Sequence, residues 1–418
     1  MRPRQRQRGE IETLPSGSLR VKVYAGIDPV TKKRHYLTET IPPGPAARKA
    51  AERARTKFLS QVDERRNPRS KGTLDDLLDR HVDQLDVDVQ TKRGYRNVLN
   101  KHVRPFLGTT QAAKIGVEAL ESLYADARKC RDHCRGRSYI VHCKAEEHEC
   151  RPTCRPHECK GLADSTIRQI HWVVSGAMDS AVRWGWISVN PCDHAKKPAV
   201  PKPNPQPPSA AEAAAIINAA WEWDPEWGAF VWLAMTTGAR RGELCALRVR
   251  HMGLDLGVID LHRALYQRDD RSWAEKDTKS HQHRRVVMDP ETVEVAEDLV
   301  RRRQSDCDAI GAPFTRNEYL FSPSPDGRQF LVPDTATQRY ERMVAKLGID
   351  STLHKLRHYS ATELIAAGVD PRTVAGRLGH GGGGSTTLRV YAAWISEADQ
   401  RAATTLAGRM PARPKAAV

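Results

Sequence analysis

The segment from Thr352 to Trp394, TLHKLRHYSATELIAAGVDPRTVAGRLGHGGGGSTTLRVYAAW, brings His354, Arg357, His380 and Tyr391 into one short stretch. These side-chain types suit chemistry at phosphorus. Arginine and histidine donate hydrogen bonds to the equatorial oxygens of a phosphate, and a phenol can serve as nucleophile. His354 and Arg357 stand at i and i+3, so a helix places them on one face.

A second stretch has a different chemistry. CRDHCRGRSYIVHCKAEEHECRPTCRPHECK offers Cys130, His133, Cys134, His142, Cys143, His148, Cys150, Cys154, His157 and Cys159, and holds six of the nine cysteines in the chain. So many thiols and imidazoles, with few apolar residues to build a core, point to a loop that a metal holds in shape. In a chain read as intracellular, such clustering argues for metal rather than disulfides. The spacings Cys130-x3-Cys134, Cys150-x3-Cys154 and Cys154-x4-Cys159 lie near the usual zinc-knuckle spacing without matching it. The expectation is one structural zinc, with two as the alternative, drawing on Cys130, Cys134, Cys150, Cys154, His157 and Cys159. A metal-free, oxidisable surface loop is the competing reading.

Local turn chemistry sets the elements that would position the first group. Thr352 is an N-cap, Leu353 to Ala367 is helical in composition, and Gly368 is a stop. Asp370 and Pro371 start a second helix that Gly379 ends. Gly381 to Gly384 then link to a third helix capped near Thr386 or Thr387, with Tyr391 one turn inside it. Four consecutive glycines raise the entropic cost of fixing that tyrosine.

The chain has 418 residues, enough for two or three domains. Its 67 basic against 51 acidic residues leave +16, which favours a polyanionic partner such as nucleic acid. The longest apolar runs, such as Ala229 to Met235, are too short to span a membrane. The basic N-terminus has no apolar core of a secretory signal, so a cytoplasmic location is expected. Residues 1–66 read as a small basic module: strands over Gly17 to Ala25 and Arg34 to Ile41, then a charged helix from Pro45 to Asp63. Residues 72–195 are helical in pattern, with runs at Leu74 to Leu85, Tyr95 to Phe106, Ile115 to Ala127 and Ser165 to Trp184, interrupted by the Cys/His insertion at 130–160. Residues 196–209, KKPAVPKPNPQPPS, are too proline-rich for helix and read as a semi-rigid linker. Beyond them, 210–418 begins with helices over Ala210 to Ala220 and Glu226 to Thr236, the second turning Phe230, Leu233 and Ala234 inward. Strands follow at Gly257 to Gln267, Trp273 to Lys276 and Arg285 to Met288.

His354-x-x-Arg357, Leu378-Gly379-His380 and Tyr391, with Thr237 to Leu247 (TGARRGELCAL) upstream, resemble in order the motif boxes of the tyrosine recombinase (phage integrase) family. The resemblance implies a mainly α fold with small β-sheets: an N-terminal ββ(β)α arm-type DNA-binding module, a helical core-binding domain and an α+β catalytic domain. It implies a site-specific recombinase that cleaves and rejoins DNA through a 3'-phosphotyrosyl intermediate to integrate or excise a mobile element. Matching the family's Gly-x-Arg-x-x-Glu selects Arg240 over Arg241 as the phosphate-binding arginine, with Glu243 orienting it. The family's hairpin lysine falls on Lys279, with Lys276 as competitor. Arg357, His354 and His380 complete the phosphate site and Tyr391 is the nucleophile, with no cofactor needed for catalysis. Implied partners are double-stranded DNA at crossover and accessory sites, further copies of the chain in a tetramer on DNA, and a directionality factor. Arg20 and Lys22 in the N-terminal module, and Lys92, Arg93, Arg96 and Arg168 in the helical region, are the candidate DNA contacts. A type IB topoisomerase shares the chemistry and a non-catalytic DNA-binding protein shares the charge. The full catalytic set argues against the second, and the basic module with a two-domain clamp favours recombination over the first.

Overall fold

A computed structural model describes residues 8–27, 33–63, 71–143, 149–150, 152–200, 205–277 and 284–380. The chain divides into two compact units, residues 1–201 and 202–418.

The first unit opens with β1 (Glu10–Thr13), β2 (Leu19–Ile27) and β3 (Arg34–Ile41), an antiparallel sheet in the order β1-β2-β3 backed by α1 (Ala47–Asp63). Alternation along β2 buries Leu19, Val21, Val23 and Ala25 against Ala51 and Ala54 of α1, leaving Arg20 and Tyr24 exposed. The extra strand β1 is short and polar, and only its register on β2, Ile11 opposite Val21, makes it one.

The helical part comprises α2 (Leu74–Gln84), α3 (Val89–His102), α4 (Arg104–Leu107) and α5 (Val117–Lys129), then a short hairpin, β4 (Ile140–Val141) with β5 (Arg155–Pro156), and α6 (Asp164–Arg183). Thr73 and Asp76 form a reciprocal capping box at α2, satisfying backbone donors that would otherwise be orphaned. The run expected over Tyr95 to Phe106 begins earlier, at the Asp88 cap, and is interrupted at Val103. Pro105, near the start of α4, cannot supply the amide that would continue α3. Leu74, Leu77, Leu78, Leu99, Leu120, Ile167 and Ile170 fill the core of these helices.

The second unit runs α7 (Ala210–Trp223), α8 (Pro225–Thr237), α9 (Arg241–Cys245), β6 (Met252–Gly253), β7 (Val258–Leu261), β8 (Arg263–Gln267), β9 (Trp273–Asp277), β10 (Arg284–Val287), α10 (Pro290–Ala309), α11 (Pro333–Lys346), α12 (Leu353–Ala366) and α13 (Pro371–Leu378). Ser209 with Glu212 caps α7, and Asp224 with Pro225 starts α8. Phe230, Leu233 and Ala234 are buried as their spacing requires. The single strand expected over Gly257 to Gln267 is two. β7 pairs with β6 and β10, β8 pairs with β9, and the chain changes sheet at His262. Alternation persists through that point, so periodicity alone does not reveal the break.

Candidate active site

Arg240 sits just before α9, where the chain leaves the left-handed Gly238 (φ 62°) that ends α8. A Cβ on Gly238 would lie 2.3 Å from Leu378 Cδ2, so the end of α8 meets the end of α13 only because this residue is glycine. Thr352 accepts the Lys355 amide to cap α12, which fixes His354 and Arg357 in its first turns. Asp370 accepts the amides of Arg372 and Thr373 to cap α13, and Gly379 (φ 65°) turns the chain out of that helix into His380.

These local devices converge. Arg357 is buried and donates from Nη1 to the Gly238 carbonyl at 2.5 Å and from Nη2 to the Leu378 carbonyl. Arg240 donates from Nη2 to the next carbonyl, Gly379, at 3.2 Å, and its side chain keeps 36% of its surface open to solvent. His380, one residue further, returns its amide to the Ala375 carbonyl at 2.9 Å. Arg240, Arg357 and His380 therefore gather where α8 and α13 end.

Beneath them lies a buried ionic bridge. Glu243 accepts from Arg240 Nη1 at 2.9 Å and from the Arg240 amide at 2.7 Å. Its other partner is Arg284, which donates from Nη2 at 2.5 Å and from Nη1 at 3.3 Å while also reaching the Leu378 carbonyl at 3.1 Å. Burial resists ionisation of Glu243, but the Arg284 and Arg240 guanidiniums and the amide hydrogen bond prevail and hold its carboxyl below the usual range. Burial also draws the Arg284 pKa down while Glu243 supports its charge. Arg377 extends the scaffold, donating to the Val287 carbonyl at 2.9 Å and the Thr236 carbonyl at 2.8 Å, so that α13 is tied to β10 and α8.

The imidazoles are held neutral. Desolvation, then the Arg357, Arg240 and Arg284 charges, pull His380 down to about 4. His358 is likewise lowered to about 4 by desolvation and by His354 and Arg357. His354 presents much of its ring to solvent, yet partial desolvation followed by Arg357 and Arg240 lowers its pKa too. The His354 and His358 rings meet edge-on, 4.7 Å apart. A pocket of guanidiniums with neutral imidazoles offers hydrogen-bond donors to an anion and proton acceptors to its attacker.

Arg284, His358 and Arg377 were not among the residues singled out from sequence. Arg284 had a signal: in RRVV it occupies the inward, buried phase of β10 with Val286, where an arginine needs a partner. Lys279, Tyr391 and the third helix expected around it lie outside the described residues. Lys276, the competing lysine, lies on β9 with Nζ 4.7 Å from the Tyr266 ring centroid.

The candidate DNA contacts are dispersed over the first unit. Arg20 is exposed on β2, and Lys22 holds Nζ 4.5 Å from the Tyr36 ring centroid. On α3, Arg93 is half-buried, Lys92 donates to the Asp83 carbonyl at 3.1 Å, and Arg96 pairs with the Asp83 carboxylate at 2.9 Å. Arg168 on α6 donates to the Pro198 carbonyl at 2.9 Å and lies over the Trp172 ring. The six expected metal ligands do not form one group: Cys130, Cys134, His157 and Cys159 cluster together, whereas Cys150 and Cys154 join His142.

Residues 210–396 match the Phage integrase family. The ICEBs1 integrase of Bacillus subtilis is 22% identical over 390 residues, covering 91% of this chain and 94% of that protein. The tyrosine recombinase XerA of Pyrococcus furiosus is 25% identical over 240 residues, covering 57% of this chain and 75% of its own. Among solved structures, the Tn1549 transposon integrase in complex with transposon right end DNA superposes with a TM-score of 0.61 at 18% identity, over 80% of this chain and 99% of that one. A lambda integrase dimer bound to a core site gives 0.52 at 15% identity, over 99% of both chains. Mostly helical with small antiparallel sheets, the fold is that of the tyrosine recombinases. Residues 210–396 belong to the tyrosine recombinase (phage integrase) family, and the chain is a site-specific recombinase that breaks and rejoins DNA strands, a result that does not favour the topoisomerase and non-catalytic alternatives.

Proposed function

We propose that the pocket at the ends of α8 and α13 holds the scissile phosphodiester of double-stranded DNA, and that the enzyme integrates or excises a mobile element. The observation that carries this is the convergence of Arg240 and Arg357 on the adjacent carbonyls of Gly379 and Leu378, immediately before His380. In this reading both guanidiniums neutralise the nonbridging oxygens, and His380 donates a further hydrogen bond. Glu243 orients Arg240 and is itself anchored by Arg284.

Tyr391 attacks phosphorus through its phenolic oxygen while its proton passes to the neutral His354 imidazole. The bond from phosphorus to the 5'-oxygen breaks, and Lys279 supplies the proton to that leaving oxygen. The product is a 3'-phosphotyrosyl link and a free 5'-hydroxyl. Because the new ester conserves the energy of the old one, a 5'-hydroxyl from another strand can reverse the step, with no cofactor used in catalysis. The solved relatives include a lambda integrase tetramer bound to a Holliday junction, and a tetramer on DNA is proposed for this chain also. The basic module at 1–66 is proposed to bind accessory sites through Arg20 and Lys22. The helical region is proposed to hold the core site through Lys92, Arg93, Arg96 and Arg168. A directionality factor and a cytoplasmic location complete the proposal. No helix among the described residues is long and apolar enough to cross a membrane.

The test is covalent trapping. A nicked duplex carrying the joined ends of the element should yield a protein–DNA adduct stable to denaturant with the parent chain and none with Tyr391→Phe. Adducts that persist in that variant would assign the nucleophile elsewhere.

A further inference from the structure

The insertion between α5 and α6 is built unlike the rest of the molecule. Its two ends run side by side: the Arg131 amide donates to the Lys160 carbonyl at 2.7 Å and the Leu162 amide to the Ala127 carbonyl at 2.9 Å. A Cβ on Gly161 would lie 2.0 Å from the Arg128 carbonyl oxygen, so the closure depends on that glycine. The insertion nevertheless adds no residue between Arg131 and Gly161 to the hydrophobic core of the helices among the described residues, and Tyr139, Ile140 and Val141 are exposed. Something other than apolar burial must hold its path.

The side chains divide into two sets along the β4–β5 hairpin. At the base, Cys130, Cys134, His157 and Cys159 place their ligand atoms within 4.8 Å of one another. Cys134 Sγ is 3.3 Å from Cys159 Sγ, and His157 Nε2 is 3.2 Å from Cys130 Sγ and 3.7 Å from Cys159 Sγ. At the other end, His142, Cys150 and Cys154 form a second group within 4.8 Å, and Cys143 Sγ lies 3.6 Å from Cys154 Sγ. Cys150 Sγ is 3.8 Å from His142 Nδ1. All of these cysteines are free thiols. Tetrahedral Zn²⁺, with Zn–S about 2.3 Å and Zn–N about 2.0–2.1 Å, sets its ligand atoms roughly 3.4–3.8 Å apart. The observed separations fall around that range and far from a disulfide bond of about 2.05 Å.

The topology explains the partition. His142 and Cys143 directly follow β4 and Cys154 directly precedes β5, so the hairpin gathers them at one end. His157 directly follows β5 and is returned to the other end, where Cys130 caps α5. His157 also has the support expected of a metal-bound imidazole. Its ring stacks on Tyr139 at 4.4 Å, and its Nδ1 faces the Asp132 carboxylate at 3.9 Å. His133 is committed elsewhere, with Nε2 2.9 Å from His102 Nδ1 and its ring against Phe106.

We infer that the insertion binds two divalent zinc ions in separate, nested Cys₃His sites: an inner one formed by Cys130, Cys134, His157 and Cys159 that locks the loop to α5, and an outer one formed by His142, Cys143, Cys150 and Cys154 that closes its tip. Thiolate and imidazole sets of this kind select zinc over hard cations, and four protein ligands in each make the sites structural.

Full-length protein purified without chelator and measured by inductively coupled plasma mass spectrometry should carry two zinc ions per chain. Cys159→Ser and Cys150→Ser should each lower this to one, whereas His133→Gln should leave it at two. Should a variant aggregate, the parent chain stripped of metal and titrated with Co²⁺ gives the same answer: thiolate-to-cobalt absorption rising to two equivalents. One equivalent, or none, overturns the two-site assignment. A stripped chain that lacks two thiols on titration and yields Cys134 and Cys159 joined in a non-reduced peptide map overturns the inner site.

Discussion

The proposed phosphate pocket and the Cys/His insertion both gather polar side chains from distant positions, but they hold them by opposite means. In the pocket, Arg240, Arg284 and Glu243 are fixed by charge pairing above a packed core, with Glu243 2% exposed and Leu244 and Cys245 buried beside it. In the insertion, the proposed zinc ligands would carry the folding themselves. The lesson is that preorganisation depends on what surrounds a site: burial makes an ion pair rigid, whereas a loop without a core needs a metal.

Removing the proposed zinc should give the largest separation between the two regions. About 10 kcal/mol or more of folding free energy can reside in a structural zinc site. Chelation should therefore convert residues 130–160 into a protease-sensitive segment while the 202–418 unit melts unchanged. Limited proteolysis with mass spectrometry would read the first effect and calorimetry the second. A chelator-induced loss of stability in the catalytic unit would break the comparison.

The reciprocal experiment is Glu243→Ala. It leaves Arg284 buried without its carboxylate, and breaking a buried pair from one side costs about 3–5 kcal/mol. The catalytic unit should lose that much in denaturant unfolding, with the zinc content unchanged. Arg240→Lys retains the charge but not the planar fork that spans Glu243 and the Gly379 carbonyl. Strand cleavage on the trapping duplex should fall by about 10²–10³-fold with DNA affinity nearly intact. Near-normal cleavage would remove Arg240 from the phosphate.

The two regions also differ in how far they could be read in the sequence. The caps at Thr352 and Asp370 and the stop at Gly379 are local, and they place His354, Arg357 and His380 without any knowledge of the fold. Arg284 was not legible in this way. Its inward phase was visible in RRVV, but its partner Glu243 lies across a turn between sheets that alternation conceals at His262. Family motifs supplied Arg240 and Glu243, which spacing alone would not have chosen over Arg241. In the insertion the ligand types were plain and their grouping was not. Spacing offers Cys130, Cys150 and Cys154 for one zinc or two without dividing them, because it does not show which residues a hairpin carries to which end.

Glycines give a smaller and sharper contrast. Gly238 (φ 62°) faces Leu378 at 2.3 Å from a built Cβ, while Gly136 (φ 80°), in the insertion, has open space within 4 Å among the described residues. Gly136→Ala should meet backbone strain alone, about 1–2 kcal/mol. Gly238→Ala adds a clash that forces α13 away from α8, for a total of about 2–5 kcal/mol. It should also lower cleavage, since the Leu378 and Gly379 carbonyls that position both arginines move with α13. Equal costs at the two positions would mean that the meeting of α8 and α13 is pliable.

Acid should act most gently, and it too should discriminate between the regions. His380, His358 and His251 are each held at about 4, chiefly by desolvation and then by neighbouring cationic groups. In the unfolded chain the same side chains titrate near about 6.5. Between these values the unfolded state takes up protons that the native state refuses. Their contribution to stability is therefore complete above the unfolded value, shrinks as the pH falls toward about 4, and is lost below it. Melting of the catalytic unit should move down by a few degrees from pH 7.5 to pH 5, and should do so equally in chelated protein, since among the described residues both candidate metal-binding clusters lie in the insertion. His380→Gln should make that slope shallower. A duplex bound in the pocket should flatten it further, because a phosphodiester's negative charge opposes Arg357, Arg240 and Arg284 and lifts the imidazoles back toward their ordinary range. A slope indifferent to both the substitution and the DNA would place the phosphate away from His380, and the pocket would then be a structural charge network.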